Sequence, residues 1–170
     1  MELRNAHQTD AAALSRIHAA SWRAGYRGLV DQVYLDGIDD DRWTPLFHQW
    51  LTEDATKALL AENGQQAVGC IFYGPARDEQ YPAYRPGWGE IISMYVLPGH
   101  WRCGYGRALM VEALERLRQA GMHGCFLWVL RENRRARDFY EAMGFSATEE
   151  TLTVTLGSQV LVDVRYVLSF

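Results

Sequence analysis

A single lysine, Lys57, stands among seventeen basic residues, and the other sixteen are arginines. The formal net charge is −4. A surface built to hold nucleic acid concentrates both cations in excess, so that class of partner is excluded. Cysteine is scarce at three (Cys70, Cys103 and Cys125), with no C-x-x-C pair. Neither a disulfide framework nor a zinc ribbon follows, and a reducing cytoplasm is the expected setting. No apolar run approaches the roughly 18 residues of a membrane span. Met1-Glu2-Leu3-Arg4-Asn5 lacks the basic and then apolar pattern of a secretory signal. The five histidines show no H-E-x-x-H spacing, so no metal is expected.

What remains is a chain of 170 residues with 48% hydrophobic and 22% charged content, enough for one domain with one core. No linker or internal repeat divides it. Met1–Asn5 reads as a short strand. Thr9 or Asp10 caps a helix in which Leu14, Ile17, His18 and Ser21 share a face. Asp39–Leu51 is expected to form a second helix, with three aspartates at its positive end. Lys57–Glu62 and Gln66–Tyr73 form a hairpin around Asn63-Gly64.

Pro75, Pro82 and Pro86 make Gly74–Trp88 a loop, and Glu90–Leu97 follows as a mostly apolar strand. A helix then runs from Gly104 to about Ala120 and stops at Gly121, before the apolar strand Cys125–Leu130. Strand, helix, strand implies a parallel pair with a right-handed crossover. A shorter helix, Arg134–Met143, ends at Gly144. In Thr151–Leu156 the alternation turns Leu152, Val154 and Leu156 to a core, and Val160–Leu168 returns antiparallel to it. The expected fold is α/β: a mixed, mostly antiparallel sheet with one parallel step in its middle, flanked by helices. Val160–Leu168 either ends that sheet or offers an edge on which a homodimer could pair.

The chemistry concentrates in Pro98–Leu109. Gly104 and Gly106 sit where a loop becomes a helix, so several backbone N–H groups can close on a phosphate, helped by the helix dipole and by Arg102 and Arg107. A dinucleotide fingerprint wants its first glycine tight against the strand and a third glycine, but six residues separate Leu97 from Gly104 and Leu109 holds the third position. A Walker loop wants Gly-Lys-Ser/Thr. NAD and ATP fit poorly; another phosphate-bearing ligand is wanted.

Glu90–Leu109 resembles motif A of the GNAT superfamily of acyl-CoA-dependent N-acetyltransferases: a strand, a bend, then Q/R-x-x-G-x-G/A opening a helix. Leu130–Phe145, with Asn133, Ala136, Phe139-Tyr140-Glu141 and Gly144-Phe145, is similar to that family's motif B, and the order and spacing agree. Trp22-Arg23-x-x-Tyr26-Arg27-Gly28 resembles a substrate-side helical region. The likeness spans nearly the whole chain. Trp101 stands where the family has Gln or Arg, and Arg102 is the available replacement for that polarity.

The resemblance implies a GNAT-type sheet with a central splayed parallel pair, and acetyl-CoA as acyl donor. Met94, Tyr95 and Val96 would pair through their backbones with the pantetheine arm. The N–H groups of Arg102, Cys103, Gly104, Tyr105, Gly106 and Arg107 would hold the pyrophosphate, and Asn133 would bond the arm. An alkyl amine arrives protonated, with a pKa near 10, so a base must deprotonate it and an acid must protonate the departing thiolate. Glu90, fourteen residues before Gly104, is the expected base, and Tyr140 the expected acid. A branch with its Glu five residues before the motif B Asn is closed here, because that residue is Trp128.

Cys103 and Cys125 offer a covalent route, but one lacks a base and the other lies inside an apolar strand. Arg131, Arg134, Arg135 and Arg137 either meet a 3′-phosphate or form a solvated helix face. Trp22, Tyr26 and Trp88 are the expected acceptor-binding residues. Trp43, Phe47, Trp50, Tyr81 and Tyr84 are further candidates, any of which can equally be core. The expected reaction is direct acetyl transfer to a small-molecule amine in a ternary complex. A protein N-terminus or lysine is the alternative acceptor, and a non-catalytic acyl-CoA sensor is the alternative class.

Overall fold

In the computed structural model, residues 1–53, 56–77 and 86–170 are described. Among these described residues seven strands form one sheet in the order β1-β2-β3-β4-β5-β7-β6, with five α-helices. β1 (Glu2–Asn5), β2 (Lys57–Asn63) and β3 (Gln66–Pro75) are antiparallel neighbours. The hairpin turn centres on Gly64-Gln65, with Gly64 at φ +63°. β4 (Gly89–Val96) continues antiparallel to β3 and then meets β5 (Gly124–Leu130) in parallel. That parallel ladder holds only Gly89 against Cys125 and Glu90 against Phe126, after which the two strands part.

The first helix, α1 (Ala11–Gly25), buries Leu14, Ile17, His18 and Ser21 on the expected face. Asp10 serves its entrance indirectly: its carboxylate accepts from the His7 N–H at 2.8 Å and pairs with Arg4 at 2.8 Å. A short helix, α2 (Gln32–Asp36), precedes the stretch expected to be helical, and the helix expected over Asp39–Leu51 is α3, which begins at Thr44 and ends at Glu53. Asp39–Trp43 turn instead, because Arg23 holds the Ile38 carbonyl and the Asp40 carboxylate, both at 2.6 Å. Pro45, ill suited to a helix interior, then sits in the first turn of α3.

Helix α4 (Tyr105–Gln119) makes the crossover from β4 to β5, burying Leu109, Met110, Ala113, Leu114 and Leu117 against the sheet. Beyond β5 comes α5 (Arg134–Ala142), followed by β6 (Ser146–Leu156) and β7 (Gln159–Ser169). β7 lies between β5 and β6, so Val160–Leu168 is interior and offers no pairing edge. The edge strand at this end of the sheet is β6, and β1 is the edge at the other. In β6, Leu152, Val154 and Leu156 face inward as expected: Val154 and Leu156 pack against the cluster around Val30 and Leu35, and all three also line a cavity. Among the described residues no helix is long and apolar enough to cross a membrane.

Candidate active site

Where β4 and β5 diverge, the β5-facing edge of β4 loses its ladder while its other edge stays paired to β3 through Gly69, Cys70 and Ile71. Backbone groups of Met94 and Tyr95 and the N–H of Val96 are thus left beside a slot that an extended ligand can fill as an added strand, while the Val96 carbonyl is already bonded. At the end of this slot the chain turns through a 3₁₀ segment, Pro98–His100, into the glycine loop. Arg102 at φ +61° and Gly104 at φ +88° hold the backbone in the left-handed region, the first of them against the steric preference of an L-residue. Ala108 N–H to the Gly104 carbonyl (3.0 Å) is the first bond of α4. The N–H groups before it, at a helix start, form a cradle for an anion. A Cβ built at Gly106 would meet Met94 and Phe139 only at ordinary contact distances of 3.7 and 3.8 Å, so the protein's own packing does not require glycine there.

Trp101 turns back into this corner. Its indole N–H donates to the Val96 carbonyl at 2.6 Å, an oxygen that also accepts from the Ser21 hydroxyl at 3.2 Å. Arg135 reaches from α5 to lie 3.8 Å from the centre of the Trp101 ring. Of the other arginines in that cluster, Arg137 is held by the Tyr166 hydroxyl and the Arg131 carbonyl. Arg131 and Arg134 are exposed. Asn133 caps α5, accepting from the Ala136 N–H at 3.2 Å, so its carbonyl oxygen is already engaged. Cys103 is exposed in the loop, whereas burial pushes the Cys70 thiol up to about 12 and Cys125 higher still, which keeps both as inert thiols.

Beneath the slot lies a cavity of about 490 Å³. A bulge on β4 at Ile92 shifts its alternation, so that Glu90, Ile92 and Tyr95 all face this cavity. Phe126, Trp128 and Leu130 line it from β5, and Asp163 from β7. Trp22 and Tyr26 close it from α1, stacked with ring centres 4.5 Å apart. Glu90 is 7% exposed and fixed by Arg77, whose guanidinium meets its two oxygens at 2.9 and 3.1 Å.

Tyr140 is 9% exposed, and burial raises its hydroxyl well above the usual tyrosine range, so it stays protonated at neutral pH. Tyr26 and Tyr95 bring their hydroxyls to 3.5 Å, and both lie within electrostatic reach of Tyr140. The structure therefore gathers Glu90, Trp22, Tyr26 and the Tyr95 side chain around one cavity, with Tyr140 beside the tyrosine pair.

Trp88 falls elsewhere: it packs on Gly124, where even a Cβ would come within 2.7 Å of its ring, and it does not line the cavity. Phe47 is core, and Trp43 and Trp50 pack against the same cluster. Tyr81 and Tyr84 lie outside the described residues. Sequence reasoning missed Arg77 and Asp163. The second carried a readable signal, because Leu161, Asp163 and Arg165 alternate as inward positions of β7, and a carboxylate among them breaks the pattern.

The model of the acetyltransferase (GNAT) family matches residues 15–145. An uncharacterised N-acetyltransferase of Archaeoglobus fulgidus is 32% identical over 88% of this chain and 95% of its own. Among solved structures, PaiA N-acetyltransferase from Thermoplasma acidophilum in complex with coenzyme A has a TM-score of 0.76 at 20% identity, covering 99% of this chain and 98% of that one. YncA from Salmonella typhimurium, solved with its cofactor acetyl-CoA, gives 0.71 at 21% identity over 99% and 92%. These last two likenesses are of fold.

Proposed function

The chain belongs to the acetyltransferase (GNAT) family and is an N-acetyltransferase with acetyl-CoA as donor; from that premise we propose that it acetylates a small-molecule amine by direct attack in a ternary complex. The observation that carries this reading is the parting of β4 and β5 after Glu90 and Phe126, with the N–H cradle of α4 at its upper end. An extended arm fits the open edge of β4, and a pyrophosphate fits the cradle. The solved relatives with coenzyme A or acetyl-CoA support the same fit.

Acetyl-CoA supplies the thioester. The chain's own residues supply orientation and proton transfer. Met94–Val96 and the Arg102–Arg107 backbone hold the donor, and Glu90 takes the proton of the incoming ammonium once Arg77 yields an oxygen. The amine nitrogen bonds to the acyl carbon, the carbon–sulfur bond breaks, Tyr140 gives its proton to the departing sulfur, and the second proton that the nitrogen sheds on becoming an amide restores the tyrosine hydroxyl. Burial keeps the Tyr140 hydroxyl protonated until negative charge develops on the sulfur, which is when it gives its proton.

The size and walls of the cavity favour a small acceptor over a polypeptide: about 490 Å³, with aromatic sides that attract a cation. The test is release of free CoA thiol from acetyl-CoA with a panel of alkyl and arylalkyl amines, beside a panel of peptides. Turnover of amines alone supports the reading, and turnover of peptides alone refutes the small-molecule acceptor.

A further inference from the structure

Two carboxylates face the acceptor cavity, and they are not equivalent. Glu90 is neutralised by Arg77. Asp163 has no ion pair among the described residues, although it lines the same cavity. The neighbouring cations are committed or remote. Arg165, two residues along β7, is fully buried and bound to Glu150 at 2.7 Å. Arg135 lies against Trp101. The other charged neighbour, Glu132, repels rather than pairs, and with burial it pushes Asp163 up to about 6. Above that pH the cavity holds one uncompensated negative charge, beside the Tyr26 ring that stacks on Trp22. A carboxylate with aromatic faces around it is a receptor for an ammonium group.

The register shows that this receptor is not the place where Glu90 acts. Glu90 is level with Phe126, whereas Asp163 is level with Leu130, four residues farther along β5 and one strand beyond it. At strand spacings this separates the Cα atoms by about 16 Å, and two side chains reaching toward each other still leave roughly 10 Å between carboxylates. One nitrogen cannot touch both.

We propose that Asp163 binds a second positive charge of the acceptor, so that the natural acceptor is a dication: a linear diamine or an amine with a remote cationic group, its reacting nitrogen at Glu90 and its other nitrogen at Asp163. The wall between them, Ile92, Phe126, Trp128 and Leu130, is apolar and suits the connecting methylenes. This rests on the transferase reading above and names its substrate class.

The test uses α,ω-diamines of three to ten carbons against the matched monoamines, with CoA thiol release as readout. In the wild type the best diamine exceeds its monoamine in kcat/KM by about tenfold or more, as expected for one charge-assisted contact. Asp163→Asn lowers diamine kcat/KM toward that of the matched monoamine, and Asp163→Glu restores part of the preference. The diamine preference also fades as pH falls through about 6. The stabilisation given by acetyl-CoA, followed as a thermal shift, is the same in wild type and Asp163→Asn, which separates a lost contact from a damaged fold. A wild type without diamine preference, or an Asp163→Asn variant that keeps it, overturns the inference. So does a protein that binds acetyl-CoA yet turns over none of these amines. A wild type that fails to bind acetyl-CoA overturns the transferase reading beneath it.

Discussion

The indole nitrogen of Trp101 donates to the carbonyl of Val96 at 2.6 Å, which ties the glycine loop to the last residue of β4. With the Arg135 guanidinium on its outer face, Trp101 fixes the corner where strand edge and N–H cradle meet. The loop therefore keeps its shape through a side-chain bond where family members carry Gln or Arg. Trp101→Phe retains the ring but removes this bond. It should lower stability by about 1 kcal/mol, or roughly 2–4 °C in Tm for a chain of this size, and weaken acetyl-CoA binding in a calorimetric titration. Unchanged Tm and affinity would show that the bond does not organise the loop.

Tyr140→Phe should lower kcat by about 10²-fold or more while leaving acetyl-CoA affinity unchanged, because the hydroxyl is asked only to return a proton. Since burial raises that hydroxyl, the basic fall in kcat belongs above the ordinary tyrosine range. A pH–rate profile to pH 10 checks both points, and a variant that loses affinity alone would remove Tyr140 from the chemistry.

Glu90→Gln should lower kcat/KM by about 10²-fold and abolish any dependence of rate on Arg77, the partner it holds at 2.9 Å. Arg77→Ala removes the guanidinium but keeps the backbone N–H of residue 77 on the carboxylate at 3.3 Å, so the nearly buried charge loses its cation at a cost of about 1–3 kcal/mol of stability. Rates and melting temperatures of the two single variants and the double variant close the cycle. Independent effects on rate would show that the two residues do not act as a unit.

His18 sets the acid limit of stability. Its ring is packed among Tyr95, Phe47 and Trp43, at 4.2, 4.9 and 5.1 Å, and burial lowers it to about 3. The unfolded chain binds a proton below about 6.5 that the folded chain refuses. Stability from this group is thus fully present above pH 6.5 and is lost as pH falls toward 3. Asp163 acts with the opposite sign: its raised value favours the folded state below about 4, a contribution lost as pH rises through 6. From pH 7 to 4 about 3 kcal/mol is lost at His18 against about 2 kcal/mol gained at Asp163, so chemical denaturation should show wild-type stability falling toward acid by only about 1 kcal/mol. His18→Phe, which keeps a ring in the pocket, should remove the loss and leave stability rising toward acid.

Much of the fold was legible because periodicity reports burial directly. The crossover from Glu90 to Leu130, the hairpin at Gly64 and the helix face of Leu14, Ile17 and His18 all follow from local pattern. The boundary of α3 did not, since it depends on Arg23 reaching seventeen residues along the chain to Asp40. Nor did the interior place of β7, because strand order between β5 and β6 is set by long-range pairing that no local signal encodes. In the candidate site, the two motifs pointed to Glu90, the glycine loop, Asn133 and Tyr140, of which the fold sets Glu90 in the cavity wall and Tyr140 beside the Tyr26–Tyr95 pair. Arg77 was hidden because a loop arginine acquires meaning only when folding brings it to Glu90. Trp88 was misplaced because an aromatic in a proline-rich loop reads equally well as pocket wall or as packing on Gly124.

The central claim is that the open edge of β4 and the cradle of α4 hold acetyl-CoA, and Gly106 gives the most direct test of it. Acetyl-CoA at 100 times its dissociation constant should stabilise the wild type by about 2.7 kcal/mol, or roughly 5–10 °C, where NAD and ATP give no shift. Gly106→Glu sets a carboxylate in the first turn of α4, where the helix dipole favours it and a Cβ has room, with contacts no closer than 3.7 Å, so the free variant should melt near the wild type. The added negative charge repels a pyrophosphate held by the same N–H groups, so its acetyl-CoA shift should largely vanish. A variant that keeps the full shift would contradict the claim, as would a wild type that acetyl-CoA does not stabilise.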